Sequence, residues 1–253
     1  MAFDVAVGAY AQFMGRYAEP LADEFAELVG IRPGQRALDV GCGPGALTER
    51  LVARLGAHAV AAVDPSTSFI EAVRARCAGA DVRQGTAESL PFDDDSVDLS
   101  AAQLVVHFMS DPVAGFQEMA RVTRPGGQVA ANTWDFHGGR APQSVFWRAV
   151  RDLDPAATDE SDPAGTREGH LAELFRAAGL TSLQSAELTV VSSYTGFDEW
   201  WHPYTLGVGP PGDYVAGLES DSRGALEQRC RELLRDGPFD VTATAWAVVA
   251  RTG

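Results

Sequence analysis

From Arg36 to Trp134, short apolar runs and segments of helical period follow one another in alternation, and that order leaves few folds open. Arg36 to Val40, Ala59 to Val63, Asp81 to Gln84, Val97 to Val106 and Gln128 to Trp134 predict five strands. Between them, Ala46 to Leu55, Phe69 to Cys77 and Pro112 to Val122 predict helices; in the first, Leu47, Leu51, Val52 and Leu55 recur at helical spacing. Runs this apolar suit strands buried on both faces. Such strands, joined by helices, form a parallel sheet with helices on either side.

The second half is less regular. Phe136 to Thr166 is rich in Gly, Pro and Asp around one amphipathic piece, Val145 to Leu153. Arg167 to Ala178 predicts a helix stopped by Gly179, and Ser182 to Val191 a sixth strand. Gly196 to Asp236 reads as broken helices carrying Trp200, Trp201, Tyr204 and Tyr214. Thr242 to Arg251 predicts a final strand. The expectation is an α/β, Rossmann-like sheet of seven mostly parallel strands, the last antiparallel, with a small helical cap built from insertions. One domain, 1–253, then divides into an N-terminal helical segment (1–30), a ligand-binding core (31–135) and lid or acceptor insertions (136–165 and 192–240).

Charge narrows the partners. The net charge is −15, and all 20 basic residues are arginine. A duplex nucleic acid needs a phosphate-neutralising surface, and an anionic membrane repels this chain equally, so neither is expected. The absence of lysine excludes lysine Schiff-base chemistry. Cys42, Cys77 and Cys230 lie far apart with no CxxC pair, so no metal site is expected. Reduced thiols, no visible signal peptide and no membrane-length apolar stretch lead to the expectation of a cytoplasmic protein.

The chemistry centres on Leu38-Asp39-Val40-Gly41-Cys42-Gly43-Pro44-Gly45, which follows a predicted strand and opens a predicted helix. Glycines there let the chain turn sharply and let a ligand approach the backbone. The place is the carboxyl end of the sheet, where open α/β folds bind ligands. A dinucleotide fingerprint, G-x-G-x-x-G, seats a pyrophosphate on the helix N-terminus. Here the spacing is G-x-G-x-G, and Asp39 stands two residues before the first glycine. A carboxylate at this point repels pyrophosphate and favours a cation. The ligand it suggests is an amino acid joined to a nucleoside, without phosphates.

On these residues the chain resembles the class I methyltransferases that use S-adenosylmethionine, in the small-molecule (type 11, quinone-biosynthesis-like) group. The resemblance implies that Asp39, Gly41, Cys42, Gly43 and Gly45 wrap the methionine part of the cofactor. Asp64, followed by Pro65 and Ser66, matches the acidic residue that ends the second strand and holds the ribose hydroxyls. Thr86, Ala87 and Glu88 match the segment covering adenine. Arg121 to Gly127 matches the turn before strand five, and Gln103 resembles residues that reach the cofactor from strand four.

The reaction this implies is in-line transfer of an activated methyl to a small-molecule acceptor, mainly through positioning. His107, after strand four, reads as a base or substrate contact, or as a histidine packing under the cap. Tyr17 and Arg16 read as groups over the methionine end, Arg16 pairing with its carboxylate, or as members of an ordinary amphipathic helix. Asp135 and His137 face the acceptor or solvent. The tryptophans and tyrosines of the insertion form an acceptor pocket or the core of the cap. Two other functions compete: an oxidoreductase binding NAD through the glycine turn, and a noncatalytic cofactor-binding protein. The oligomeric state is not legible.

Overall fold

A computed structural model describes residues 7–160 and 163–253. The chain enters through α1 (Val7–Tyr10), a π-helical turn (Ala11–Gly15) and α2 (Arg16–Val29). The alternation follows: β1 (Ala37–Val40), α3 (Ala46–Leu55), β2 (Val60–Asp64), α4 (Thr67–Arg76), β3 (Asp81–Gln84), β4 (Val97–Gln103), α5 (Pro112–Val122) and β5 (Thr123–Trp134). After α6 (Ser144–Leu153) and α7 (His170–Ala177) comes β6 (Thr181–Tyr194). The cap holds α8 (Phe197–Trp201), α9 (Gly209–Ala216) and α10 (Ser220–Leu233), and β7 (Phe239–Arg251) closes the sheet.

The seven strands lie in the order β3-β2-β1-β4-β5-β7-β6. β1 pairs in parallel with β2 and β4, β2 with β3, and β4 with β5, while β7 is antiparallel to both β5 and β6. This is the expected α/β fold with its last strand reversed. The chain winds outward from β1 to β3, then returns to β4 on the other side, so a crevice opens between the carboxyl ends of β1 and β4. All four residues of β1 are buried, as a central parallel strand requires. The edge strand β6 instead alternates buried and exposed from Leu188 to Tyr194.

Three boundaries differ from the sequence reading for physical reasons. β4 stops at Gln103, because Leu104 takes a left-handed conformation (φ 59°) and a 3-10 turn follows at Val106–Phe108. The turn at Arg124–Gly127 is an excursion inside β5: the pairing steps from Val97↔Thr123 to Leu99↔Gln128. The β6–β7 hairpin is longer than expected, keeping register to Tyr194↔Phe239. Its last residues carry Ser and Asp, which read as loop, yet the ladder carries on through them.

Helices α2 and α3 cover one face of the sheet, and their core is continuous with the cap. α5 and α7 cover the other, around Phe116 and Phe175. The cap aromatics pack on one another: Tyr204 stacks on Phe146 at 4.7 Å, and Trp200 lies 4.7 Å from Tyr204. Trp200, Trp201 and Tyr204 are all buried. They therefore form the cap's interior, one of the two readings the sequence left open. Among the described residues no helix is long and apolar enough to cross a membrane. Phe146 is wholly buried at the junction of α6 and the cap, so Phe146→Ala is expected to cost about 3–5 kcal/mol, read from the midpoint of urea denaturation.

Candidate functional site

The turn after β1 is held by the strand beside it. The amides of Gly41 and Cys42 both donate to the carbonyl of Val63, at 2.8 and 3.0 Å. Asp64, at the end of β2, then staples two loops: Oδ2 accepts from the Gly43 amide at 2.9 Å and Oδ1 from the Ser66 amide at 2.8 Å. Gly41 has φ 70°, and a Cβ there would lie 2.8 Å from the Cβ of Val105. Only glycine lets β1 and the segment after β4 approach this closely.

Asp39 lies on β1 directly beneath the turn and is 1% exposed. Its Oδ2 accepts from the Thr48 hydroxyl at 2.6 Å, while Oδ1 is buried without a hydrogen-bond partner. Burial pushes the Asp39 carboxyl up to about 7, with Asp64 adding repulsion and the Thr48 bond opposing both. Burial also raises Asp64, against the two backbone amides it accepts from. Gln103 donates from Nε2 to the Ala18 carbonyl at 2.9 Å, and its Oε1 is likewise buried and unpartnered.

These groups surround a cavity of about 620 Å³ lined by Asp39, Gly41, Cys42, Gly43, Asp64, Pro65, Ser66 and Gln103, with Tyr10, Phe69, Leu104 and Phe108 on its apolar sides. That volume suits a small molecule or cofactor. No arginine lines it among the described residues. A recess of about 50 Å³ adjoins it across Tyr10, Leu104 and Phe108, and is lined further by His107, Trp134, Gln143 and Glu160. No group of three or more His, Cys, Asp or Glu among the described residues could hold a metal.

Other candidates sit elsewhere. Gly45 (φ 96°) is outside the lining and ends the turn at the start of α3, where a Cβ would lie 3.1 Å from Val73. Arg16 does not reach the cavity: its guanidinium pairs with Glu199 at 2.7 Å and lies over the Tyr194 ring. Tyr17 is buried with its hydroxyl 2.7 Å from that of Tyr194 and its ring against Trp134. Both therefore tie α2 to the β6–cap junction. Thr86, Ala87 and Glu88 do not line the cavity either; Glu88 accepts from the Ser110 and Asp111 amides, fastening the loop before α5. His107 lines only the recess, with Nδ1 3.3 Å from the Thr133 hydroxyl, and burial pushes it down to about 4. Asp135 is buried and grips its own turn through the Gly138 amide and Arg140.

The sequence reading missed Tyr10, Phe69 and Phe108 on the cavity, and Trp134, Gln143 and Glu160 in the recess. Trp134 ends β5, where the topology predicts site residues, and that position was a usable signal. Glu160 and Gln143 gave none, lying in a Gly/Pro/Asp-rich stretch.

A mostly parallel sheet with a glycine turn and two buried carboxylates at its switch point defines an α/β protein with a ligand-sized cavity at the carboxyl ends of β1 and β2. Residues 38–131 match a methyltransferase-domain family. An uncharacterized methyltransferase of Mycobacterium tuberculosis is 35% identical over 167 residues, covering 66% of this chain and 63% of that protein. Malonyl-[acyl-carrier protein] O-methyltransferase of Erwinia billingiae is 36% identical over 132 residues, 52% of this chain and 51% of its own length. The chain thus spans less than two thirds of these relatives. In fold it is similar to the YcgJ protein of Bacillus subtilis (TM-score 0.59, 20% identity, 92% and 98% of the two chains). It is also similar to geranyl diphosphate C-methyltransferase of Streptomyces coelicolor (TM-score 0.56, 15% identity, 94% and 80%). Residues 38–131 thus hold a methyltransferase domain, and on this domain the chain is similar to the class I S-adenosylmethionine-dependent methyltransferases of the type 11 group.

The raised Asp39 carboxyl has a consequence for the ligand-free protein. The folded state holds this proton more tightly than the unfolded chain, whose value is 3.8. The stabilisation is present below that value and is lost as pH rises through about 7. Asp39→Asn removes this dependence. Wild-type stability minus that of Asp39→Asn, from denaturant melts, is expected to fall across that window and level off above it.

Proposed function

We propose that this chain binds S-adenosylmethionine in the main cavity and transfers its methyl group to a small-molecule acceptor held at the adjoining recess. The observation that carries the reading is the buried, unpartnered oxygen of Asp39 on a cavity lined by no arginine among the described residues. A buried carboxylate oxygen without a partner is costly and is relieved by a cationic donor. The amino group of the cofactor supplies that donor; a pyrophosphate would meet two carboxylates instead.

The other residues fit the rest of the molecule. Both oxygens of Asp64 already accept one amide each, and each keeps a lone pair for a ribose hydroxyl. Gln103 offers its free Oε1, and the turn at Gly43 is open to a ligand, with nothing within 4 Å of where a Cβ would stand. Tyr10, Phe69 and Phe108 exclude water from the apolar sides. Bound there, the cofactor supplies a methyl already activated on a sulfonium. The protein's task is then to hold the acceptor's nucleophile facing it, and such positioning is worth about 7–11 kcal/mol of barrier at best. His107 stands in the recess as a neutral imidazole, a contact for the acceptor.

Isothermal titration calorimetry is expected to show S-adenosylhomocysteine binding and NADH failing to bind. Asp39→Asn is expected to weaken S-adenosylhomocysteine about 10–100-fold, the worth of one hydrogen bond to a charged group. Equal affinity for NADH, or an unchanged affinity in the folded variant, contradicts the reading.

A further inference from the structure

The recess holds polar groups that the fold does not satisfy. Gln143 is 3% exposed, and its Oε1, an acceptor, has no partner. Trp134 is 1% exposed, and its Nε1, a donor, has none. Glu160 is buried beside them and accepts one hydrogen bond, from Trp147 Nε1 to Oε2 at 2.8 Å. The open Trp134 N–H beside the Glu160 carboxyl awaits a group that takes one hydrogen bond and gives another. The walls are rings, among them Phe13, Phe108 and Phe136. No arginine lines the recess among the described residues, so nothing there neutralises an anion.

We propose that the methyl acceptor is an uncharged, planar molecule carrying a phenol-like hydroxyl, and that Glu160 is the catalytic residue that takes the hydroxyl proton. This rests on the cofactor occupying the main cavity. The recess admits the reacting hydroxyl and the edge of its ring, with the remainder extending toward Tyr10 and Phe108. The hydroxyl oxygen forms the new O–C bond as the methyl–sulfur bond breaks with its electron pair passing to sulfur. The hydroxyl proton passes to Glu160 and then to solvent.

Two groups in the recess can accept a proton, and their environments separate them. Burial pushes Glu160 up to about 7, Asp159 adding to the rise and the Trp147 N–H opposing it. Burial pushes His107 down to about 4 with no compensating carboxylate. A base works best when its value lies near the working pH, which favours Glu160. The other groups facing it are Tyr204 from the cap, whose hydroxyl burial drives far up, and Arg151 of α6, which is paired with Asp159.

The test uses the full chain saturated with S-adenosylhomocysteine and three probes: phenol, benzoate and benzylamine. Calorimetry is expected to show phenol binding tightening by about tenfold as pH rises through 7, as Glu160 becomes a charged acceptor. Benzoate is expected to weaken over the same range. Glu160→Gln, which keeps an acceptor for Trp147, is expected to flatten both profiles, with benzoate still the weaker ligand because no arginine lines the recess among the described residues. With labelled cofactor, conversion of phenol to anisole is expected to fall about 100-fold in that variant. The wild-type profiles stand even if the variant does not fold. A pH-independent phenol affinity, or benzylamine binding best, overturns the proposal. So does a wild-type enzyme that binds phenol and forms no anisole. Failure to bind S-adenosylhomocysteine in the first step overturns the cofactor reading instead.

Discussion

The site depends on one buried carboxylate. Asp39 sits on a strand whose four residues are all buried, and the fold gives one of its oxygens a partner and leaves the other without. Ionising such a group in an apolar interior is unfavourable, which is why it holds its proton to about 7. The chain therefore carries a local instability at a carboxylate that lines the cavity. Asp64 plays the complementary part. Its two amide bonds fix the glycine turn and the start of α4 in the arrangement that makes the cavity. One acid is strained for binding, and the other is employed in building the site.

The cap and the sheet share a core, and this decides what the aromatic residues do. Trp200, Trp201 and Tyr204 pack inward against α6 and never reach the cavity. What reaches the recess from the cap is the start of α9, Val208 to Pro211. Arg16 and Tyr17 brace α2 against Glu199 and Tyr194 from the far end of the chain. These contacts hold the N-terminal helix against the cap, with Tyr10, in the helix before it, bordering both spaces. The recess is thus assembled by packing around the sheet, whose carboxyl edge borders the main cavity together with Tyr10, Phe69 and Phe108.

This division also sets what could be read from the sequence. The turn at Gly41 to Gly45, its flanking strand and helix, and Asp64 are local features: glycine spacing, an apolar run and a helical period each signal over a short stretch of chain. The recess is not local. Trp134, Gln143 and Glu160 come from a strand end and two loops, and only tertiary packing shows which of their polar atoms lack partners. Arg16 and Glu199 are 183 positions apart, so a helical arginine facing a carboxylate in the cap left no sequence trace. In the segment expected to cover adenine, Glu88 matches by position, and its carboxylate accepts from the amides of the loop before α5, a contact 22 positions away that the sequence does not signal.

The central claim is that the cofactor's amino group satisfies the ionised form of Asp39. It is tested most directly by counting protons exchanged when S-adenosylhomocysteine binds, using calorimetry in buffers of different ionisation enthalpy. At pH 7, where Asp39 is about half protonated in the free protein, binding should expel its proton, and the release should vanish well above that pH and in Asp39→Asn. Binding without proton release at pH 7, or with the same release in the variant, would contradict the account.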